Sequence, residues 1–302
     1  MAALPEPRQL TRDAIYAAYE AKAESGFRSH LGASLIGTDC ARALWYTFRH
    51  CTRASFPGRV LRLFETGQRE ESRVVANLRA TGATVLECDP DTGRQWVLST
   101  LNGHFGGSMD AVAHGLLESP KKWHVCEFKT HGIKSFTQLK KDGVQKSKPL
   151  HYAQMQTYME LSGMDRAMYI GVCKDTDELH IERINVDHAF AQYLIAKAEK
   201  IINTNEPPRR ISDDPSWFQC RFCDHAPVCH EGKMPERNCR TCISSVPVED
   251  GQWSCCRNFE MKDGCPHHLY IPALVPGEQT DTDGESFVEY QMNDGSVWRD
   301  GP

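Results

Sequence analysis

The chain has 302 residues, 40% of them hydrophobic and 25% charged, enough for one substantial core with a small appended module. A formal net charge of −5 argues against a protein that coats nucleic acid over its whole surface, because such affinity comes from neutralised phosphates. No run of about 18 apolar residues offers a membrane span and the N-terminus lacks a secretory pattern, so a cytoplasmic location with no membrane partner is expected. The spacing of apolar residues predicts a helix over 11–23 with Thr11 as N-cap, a second over 39–49, and a third that follows Phe64 and reaches Arg79. Gly82 stops the third. Short β-rich runs follow at 83–88, 95–101, 105–115 and 123–130, then a helix at 149–161, strands at 166–174 and 178–184, and a helix at 187–203.

That order predicts an α/β fold, a mixed central sheet flanked by helices, occupying residues 1–234. Pro207 and Pro208 close it. The following stretch is rich in Cys, Pro and Gly and poor in periodic apolar residues, so 235–275 is expected to be a small module stapled by metal. Residues 276–302 are acidic and expected to form a tail or, around Asn293-Asp294-Gly295, a hairpin. Arginines and lysines concentrate in Arg49, Arg53, Arg59, Arg62, Arg69, Arg73 and Arg79, and again between Lys134 and Lys148; a solvated face is the plain reading of such runs.

Asp110 closes the run Gly106-Gly107-Ser108-Met109-Asp110 in a predicted strand, and Glu127-Phe128-Lys129 lies near the end of the next. Residues two apart on a strand share a face, so Glu127 and Lys129 point one way while Phe128 faces the core. Two carboxylates suit Mg²⁺ or Mn²⁺, and a neighbouring ammonium can orient a water or steady phosphate charge. Gln154 and Tyr158, four apart on a predicted helix, share a face. His104, His114, His124 and His131 lie close enough in sequence to offer a competing histidine-metal reading.

This pattern resembles the PD-(D/E)xK nuclease superfamily, with a restriction-endonuclease-like core, and within it the RecB-like exonucleases. Asp110 and Glu127-Phe128-Lys129 match the central motif, Gly67-Gln68-Arg69-Glu70-Glu71 resembles the first motif, and Gln154 with Tyr158 matches Q-x-x-x-Y. The resemblance covers about residues 34–229. It implies that Asp110, Glu127 and the Phe128 carbonyl hold the metal, that Glu71 assists, with Glu70 as alternative, and that Lys129 helps activate the attacking water. It also implies a DNA exonuclease or end-processing nuclease in recombination, replication or repair, of phage type, with DNA ends as substrate and a recombination or single-strand-annealing protein as partner. A DNA-end-binding adaptor that does not cut is the alternative, and a transcription-type reader built on the C-terminal module is a weaker one.

Thirteen cysteines in a reducing compartment point to metal sites or buried thiols, and eight lie between Cys220 and Cys265. Cys220, Cys223 and Cys229 supply three thiolates, for a structural zinc or an iron–sulfur cluster. The same resemblance, to CRISPR-associated RecB-like exonucleases and the AddB nuclease domain, implies a [4Fe–4S] cluster whose fourth ligand is Cys40. Further on, the knuckle Cys239-x2-Cys242 with Cys255 and Cys265 has the spacing of a zinc ribbon, and Cys256 or His268 can replace one member. Cys51, Cys88, Cys126 and Cys173 read as small buried residues.

Overall fold

The computed structural model describes residues 9–23, 27–261, 265–282 and 286–301. Helix α1 (Leu10–Lys22) leads to a two-residue strand β1 (Leu31–Gly32), helix α2 (Ala41–Phe48) and the long helix α3 (Gly58–Ala80). Strands β2 (Thr84–Leu86), β3 (Val97–Thr100), β4 (Phe105–Ser108), β5 (Ala111–His114) and β6 (His124–His131) follow. After them come helices α4 (Ile133–Ser147) and α5 (Pro149–Ser162), strands β7 (Arg166–Cys173) and β8 (Leu179–Asn185), and helix α6 (His188–Asn203).

The central sheet has the order β2-β5-β6-β7-β8. It is mixed, because β6 and β7 run parallel while the other pairs are antiparallel. A parallel pair needs a long crossover, and α4 and α5 supply it. One face carries Val74 and Val75 of α3 against Cys126, Phe128, Met168 and Ile170. The other carries α5 and α6 against Val125 and Tyr169. Helix α5 is buried on every side from Ala153 to Met159, sandwiched between the sheet and α6. The chain is thus a mixed α/β fold with a central mixed sheet flanked by helices.

Four expectations change. Helix α1 has Gln9 at its N-cap, so Thr11 lies inside it. The run 105–115 is two strands: β4 joins β1 and β3 in a separate small sheet, β5 joins the central one, and Met109-Asp110 spans the break. Helix α4 is absent from the sequence reading, because its lysines and Gly143, at φ +71°, interrupt the apolar period. Helix α3 begins at Gly58, six residues before Phe64, where the Gly58 amide donates to Glu20 Oε1 at 2.6 Å. A Cβ at Gly58 would lie 2.2 Å from the Tyr16 carbonyl oxygen, so only glycine lets α1 approach this closely.

Short helices α7 (Phe218–Arg221) and α8 (Ala226–His230) carry the first cysteine cluster, and β9 (Ser245–Pro247) pairs antiparallel with β10 (Trp253–Cys255) in the second. Strands β11 (Gly277–Thr282), β12 (Val288–Met292) and β13 (Val297–Asp300) form an antiparallel sheet, with the β12–β13 turn at Asn293-Asp294-Gly295. Its Tyr290 and Trp298 pack on Tyr270 and Val275.

The C-terminal region is docked tightly on the α/β core. Arg49, expected on a solvated face, is 1% exposed. Its guanidinium sits over the Trp45 and Trp253 rings and donates to the carbonyls of Arg240, Ser245 and Thr204. Arg240 reaches back to the Phe48 and Ser29 carbonyls. No helix among the described residues is long and apolar enough to cross a membrane.

Candidate active centre and cysteine cavities

Strand β5 pairs with β6 as far as Ala111 opposite Cys126 and stops. Beyond that point the Phe128 amide has no strand partner, and the Asp110 carboxylate accepts it at 2.8 Å. Asp110 therefore stands at the junction of the two sheets rather than within a strand. Glu127 and Lys129 project from β6 toward α5, and Phe128 faces the opposite core. Lys129 Nζ ion-pairs with Glu127, lies 3.6 Å from Asp110 Oδ2 and donates to the Phe128 carbonyl at 3.1 Å.

The Glu127 carboxyl is wholly buried, and neither oxygen has a hydrogen-bond partner of ordinary geometry despite the ion pair. Burial, with Asp110 and Glu71 adding to it and Lys129 opposing, pushes its pKa up to about 7. Burial works against the Lys129 ammonium, but Glu127, Asp110 and Glu71 outweigh it and hold its pKa above the lysine value. Glu71, on α3, is raised by burial and by Asp110. Glu70 instead binds Arg73 at 2.7 Å, and Arg73 also pairs with Asp177, so of the two glutamates Glu71 is the one that feels the centre.

Gln154 and Tyr158 are buried at 6% and 2% exposure, so neither is available to an outer DNA backbone. Tyr158 donates to the Ser108 carbonyl at 3.0 Å and accepts from Gln154 at 3.4 Å. Burial pushes the Tyr158 phenol to about 12, with Glu127 and Asp110 adding to the rise. Gly107 leaves room for this hydroxyl, since a Cβ there would sit 2.5 Å from it.

The sequence reading missed the group beside these residues. Tyr169, the register neighbour of Glu127 on β7, has its hydroxyl 2.8 Å from His131 Nε2 and 2.9 Å from His151 Nδ1. His151 precedes Gln154 by three residues and Tyr158 by seven on α5, a spacing that could have signalled a shared face. Burial, then Lys148 and Lys129, lower His131 to about 4. The other three histidines of the competing metal reading do not join it: His104 binds the Val248 carbonyl, His114 lies against Trp123, and His124 binds the Lys122 carbonyl.

Cys40, Cys220, Cys223 and Cys229 line one cavity of about 630 Å³. Burial, then Cys229 and Cys40, raise the Cys220 thiol, and burial raises Cys223 with the same neighbours adding to it. Cys40 is the N-cap of α2, and Gln219 binds Asp39 at 2.8 Å, tying the two cysteine-bearing loops together. Cys239, Cys242, Cys255 and Cys265 line a second space of about 20 Å³ with His267 and His268, a size for a single ion. His268 Nε2 lies 3.1 Å from the Asn238 carbonyl and so carries the proton, which leaves its buried Nδ1 without a partner. Cys256 is exposed and outside this lining. Cys88 is exposed, contrary to expectation, because it lies beyond the edge strand β2, while Cys51, Cys126 and Cys173 are buried. Among the described residues no group of three or more His, Cys, Asp or Glu side chains stands in finished ion-binding geometry. At the carboxylates, Lys129 bridges the acids instead.

No protein-family model matches the chain, and no curated protein does. Among solved structures it is similar to LHK-Exo in complex with dAMP, at 17% identity and a TM-score of 0.42 over 62% of this chain and 89% of that one. It is also similar to the alkaline exonuclease LHK-Exo from Laribacter hongkongensis, at 16% identity and a TM-score of 0.39 over the same shares. The protein SSO0001 is similar at 14% identity and a TM-score of 0.44, over 73% of this chain and 96% of that one.

Proposed function

We propose that the chain is a Mg²⁺- or Mn²⁺-dependent deoxyribonuclease of the PD-(D/E)xK type, with a restriction-endonuclease-like core, that hydrolyses phosphodiester bonds at DNA ends in recombination, replication or repair. The observation that carries this reading is Glu127: a wholly buried carboxyl beside Asp110 and within the field of Glu71, with Lys129 as the one cation among the three acids. One ammonium leaves that cluster with excess negative charge, which is costly to bury and which a divalent cation would balance. Asp110, Glu127 and the Phe128 carbonyl would hold the metal, with Glu71 assisting. When bound, the metal supplies an acidified water and neutralises charge growing on the phosphate. Lys129, kept charged by the surrounding acids, holds the attacking water against the scissile phosphate. Tyr158 and Gln154 fix the Gly107-Ser108 backbone that leads to Asp110.

The two cysteine sets serve as staples in this reading. Cys40, Cys220, Cys223 and Cys229 hold a [4Fe–4S] cluster, supported by the single cavity that all four line and by the four thiolates such a cluster needs. The second set holds Zn²⁺ with ligands from Cys239, Cys242, Cys255, Cys265 and His268, supported by the ion-sized space and the unpartnered His268 Nδ1.

Digestion of end-labelled single- and double-stranded DNA with Mg²⁺ or Mn²⁺, using anaerobically purified protein, tests the reading. Cleavage lost in Asp110→Ala and Glu127→Ala, with binding retained, is the expected result. Binding without cleavage by the wild type would favour the end-binding adaptor, and wild-type cutting by Glu127→Ala would remove the active-site assignment.

A further inference from the structure

The hydroxyl of Tyr169 stands between two imidazoles, 2.8 Å from His131 Nε2 and 2.9 Å from His151 Nδ1, and Ser135 Oγ lies 3.3 Å from the other nitrogen of His131. A phenol has one proton, so Tyr169 donates to one imidazole and accepts from the other. Burial and then Glu127 raise the phenol, so it keeps that proton. The direction that gives every hydrogen of the chain an acceptor starts at the Ser135 hydroxyl: Ser135 donates to His131 Nδ1, His131 Nε2–H to Tyr169, and Tyr169 to His151 Nδ1. In that order His151 carries its proton on Nε2. Tyr169 is wholly buried and His131 is 6% exposed, whereas His151 is only partly covered, so the chain ends at the one imidazole of the two that a ligand reaches.

Three relations place this end of the chain at the carboxylate centre. His151, Gln154 and Tyr158 fall at i, i+3 and i+7 on α5 and share a face. Tyr169 is the register neighbour of Glu127. After burial, Lys129 acts on His151 more strongly than His131 does, although the His131 ring centroid is only 6.1 Å away. The field changes sign between the acids and the imidazoles. Glu127 and Glu71 each feel Asp110, whereas the ammonium groups of Lys129 and Lys148 act on His151, and those of Lys148, Lys129 and Lys174 on His131. Lys148, one turn before His151, gives two of its three donors to the Ser135 and Ser147 carbonyls, at 3.3 and 3.2 Å, and with Ser135 and Gln138 it lines an open space of about 620 Å³. Carboxylates seat a cation; an imidazole N–H between ammonium groups seats an anion such as a phosphate oxygen.

We infer that His151 is a substrate contact of the carboxylate centre: its Nε2–H, held in that tautomer by the Tyr169 hydroxyl, donates to a phosphate oxygen of the bound DNA strand. Tyr169 and His131 are positioning residues for it. The inference rests on the nuclease reading for the identity of the strand, and one arm of its test reads the imidazole itself. Full-length protein labelled with ¹⁵N-histidine gives the tautomer of each ring by NMR, and His151→Gln identifies the His151 signals by their loss. A single tautomer protonated on Nε2 is expected, and Tyr169→Phe turns it into a mixture. In full-length Glu127→Ala, which holds DNA without cutting it, a duplex oligonucleotide with a single-stranded overhang should shift the His151 Nε2 signal. In cleavage assays His151→Ala should lower kcat roughly 100- to 1000-fold, the range for one donor to a developing anion. His151→Gln, whose amide N–H stands near the place of Nε2–H, restores part of it, and Tyr169→Phe costs roughly 10- to 100-fold, as for an outer partner that orients an imidazole. A lone pair on Nε2, a signal unmoved by saturating oligonucleotide, or a kcat unchanged in His151→Ala would overturn the contact. A signal that shifts in a chain that never cuts DNA sinks the nuclease reading alone; normal cutting by His151→Ala with an unmoved signal sinks the contact alone.

Discussion

Glu127 makes a quantitative link between proton and metal. Its pKa is raised from 4.5 to about 7, a shift equivalent to about 3 kcal/mol of differential stabilisation of the neutral form. A metal must displace that proton to gain the carboxylate. With a pKa of about 7, the group is about 90% protonated at pH 6 and about 10% at pH 8, so metal binding should release about 0.9 proton from this site at pH 6 and about 0.1 at pH 8. Apparent affinity for Mn²⁺ should correspondingly fall about tenfold from pH 8 to pH 6. Glu71, also raised, pushes in the same direction. Calorimetric titration of the metal-free protein with Mn²⁺, in two buffers of different ionisation enthalpy at each pH, counts the protons. Glu127→Gln should bind more weakly and lose most of the pH-dependent release, leaving the share due to Glu71. Equal proton counts at pH 6 and pH 8, or an affinity flat across that range, would refute the argument.

Arg49→Ala should lower stability by about 1–3 kcal/mol, since the buried Ser245 carbonyl and the part-buried Arg240 carbonyl lose a donor and the Trp45 ring loses its cation, while Thr204 keeps the Trp45 indole and Trp253 keeps Arg240; a Tm within a degree of wild type in thermal melts would contradict this. Protein purified without oxygen should absorb broadly near 400 nm (roughly the region expected of a cluster), and Cys40→Ala should bleach it as fully as Cys223→Ala, whereas Cys51→Ala keeps its colour. A brown Cys40→Ala chain with full iron content speaks against the four-cysteine set. His131 and His225 are buried with pKa values lowered from 6.5 to about 4, burial being the main cause in both. An imidazole depressed in the folded state contributes stability that is complete above about pH 6.5 and lost as pH falls toward 4, so the Tm should drop through that window, and a Tm constant from pH 7 to pH 4.5 would contradict it.

The parts of the site that were legible in the sequence are those fixed by local period. Glu127 and Lys129 share a face because a strand repeats every two residues, and Gln154 and Tyr158 share one because a helix brings residues four apart together. The cysteine spacings were legible for the same reason, as short loops between cysteines. The sequence could not decide that Asp110 lies in a break between two sheets, because pairing of β5 with β6 ends at Ala111 only once the strands are in register. Nor could it show that Glu71 lies in the field of Asp110 while Glu70 pairs with Arg73, which depends on where α3 rests against the sheet. Arg49 looked like one of a run of surface cations, and only docking of the C-terminal region buried it between Trp45 and Trp253. His151, Tyr169 and His131 meet across α5, β7 and β6, three elements whose neighbourhood is set by strand order. Cys40 and Cys220 share a cavity although they stand 180 positions apart, a convergence that chain-local patterning cannot encode and that packing of α2 against α6 and the loops beyond it creates.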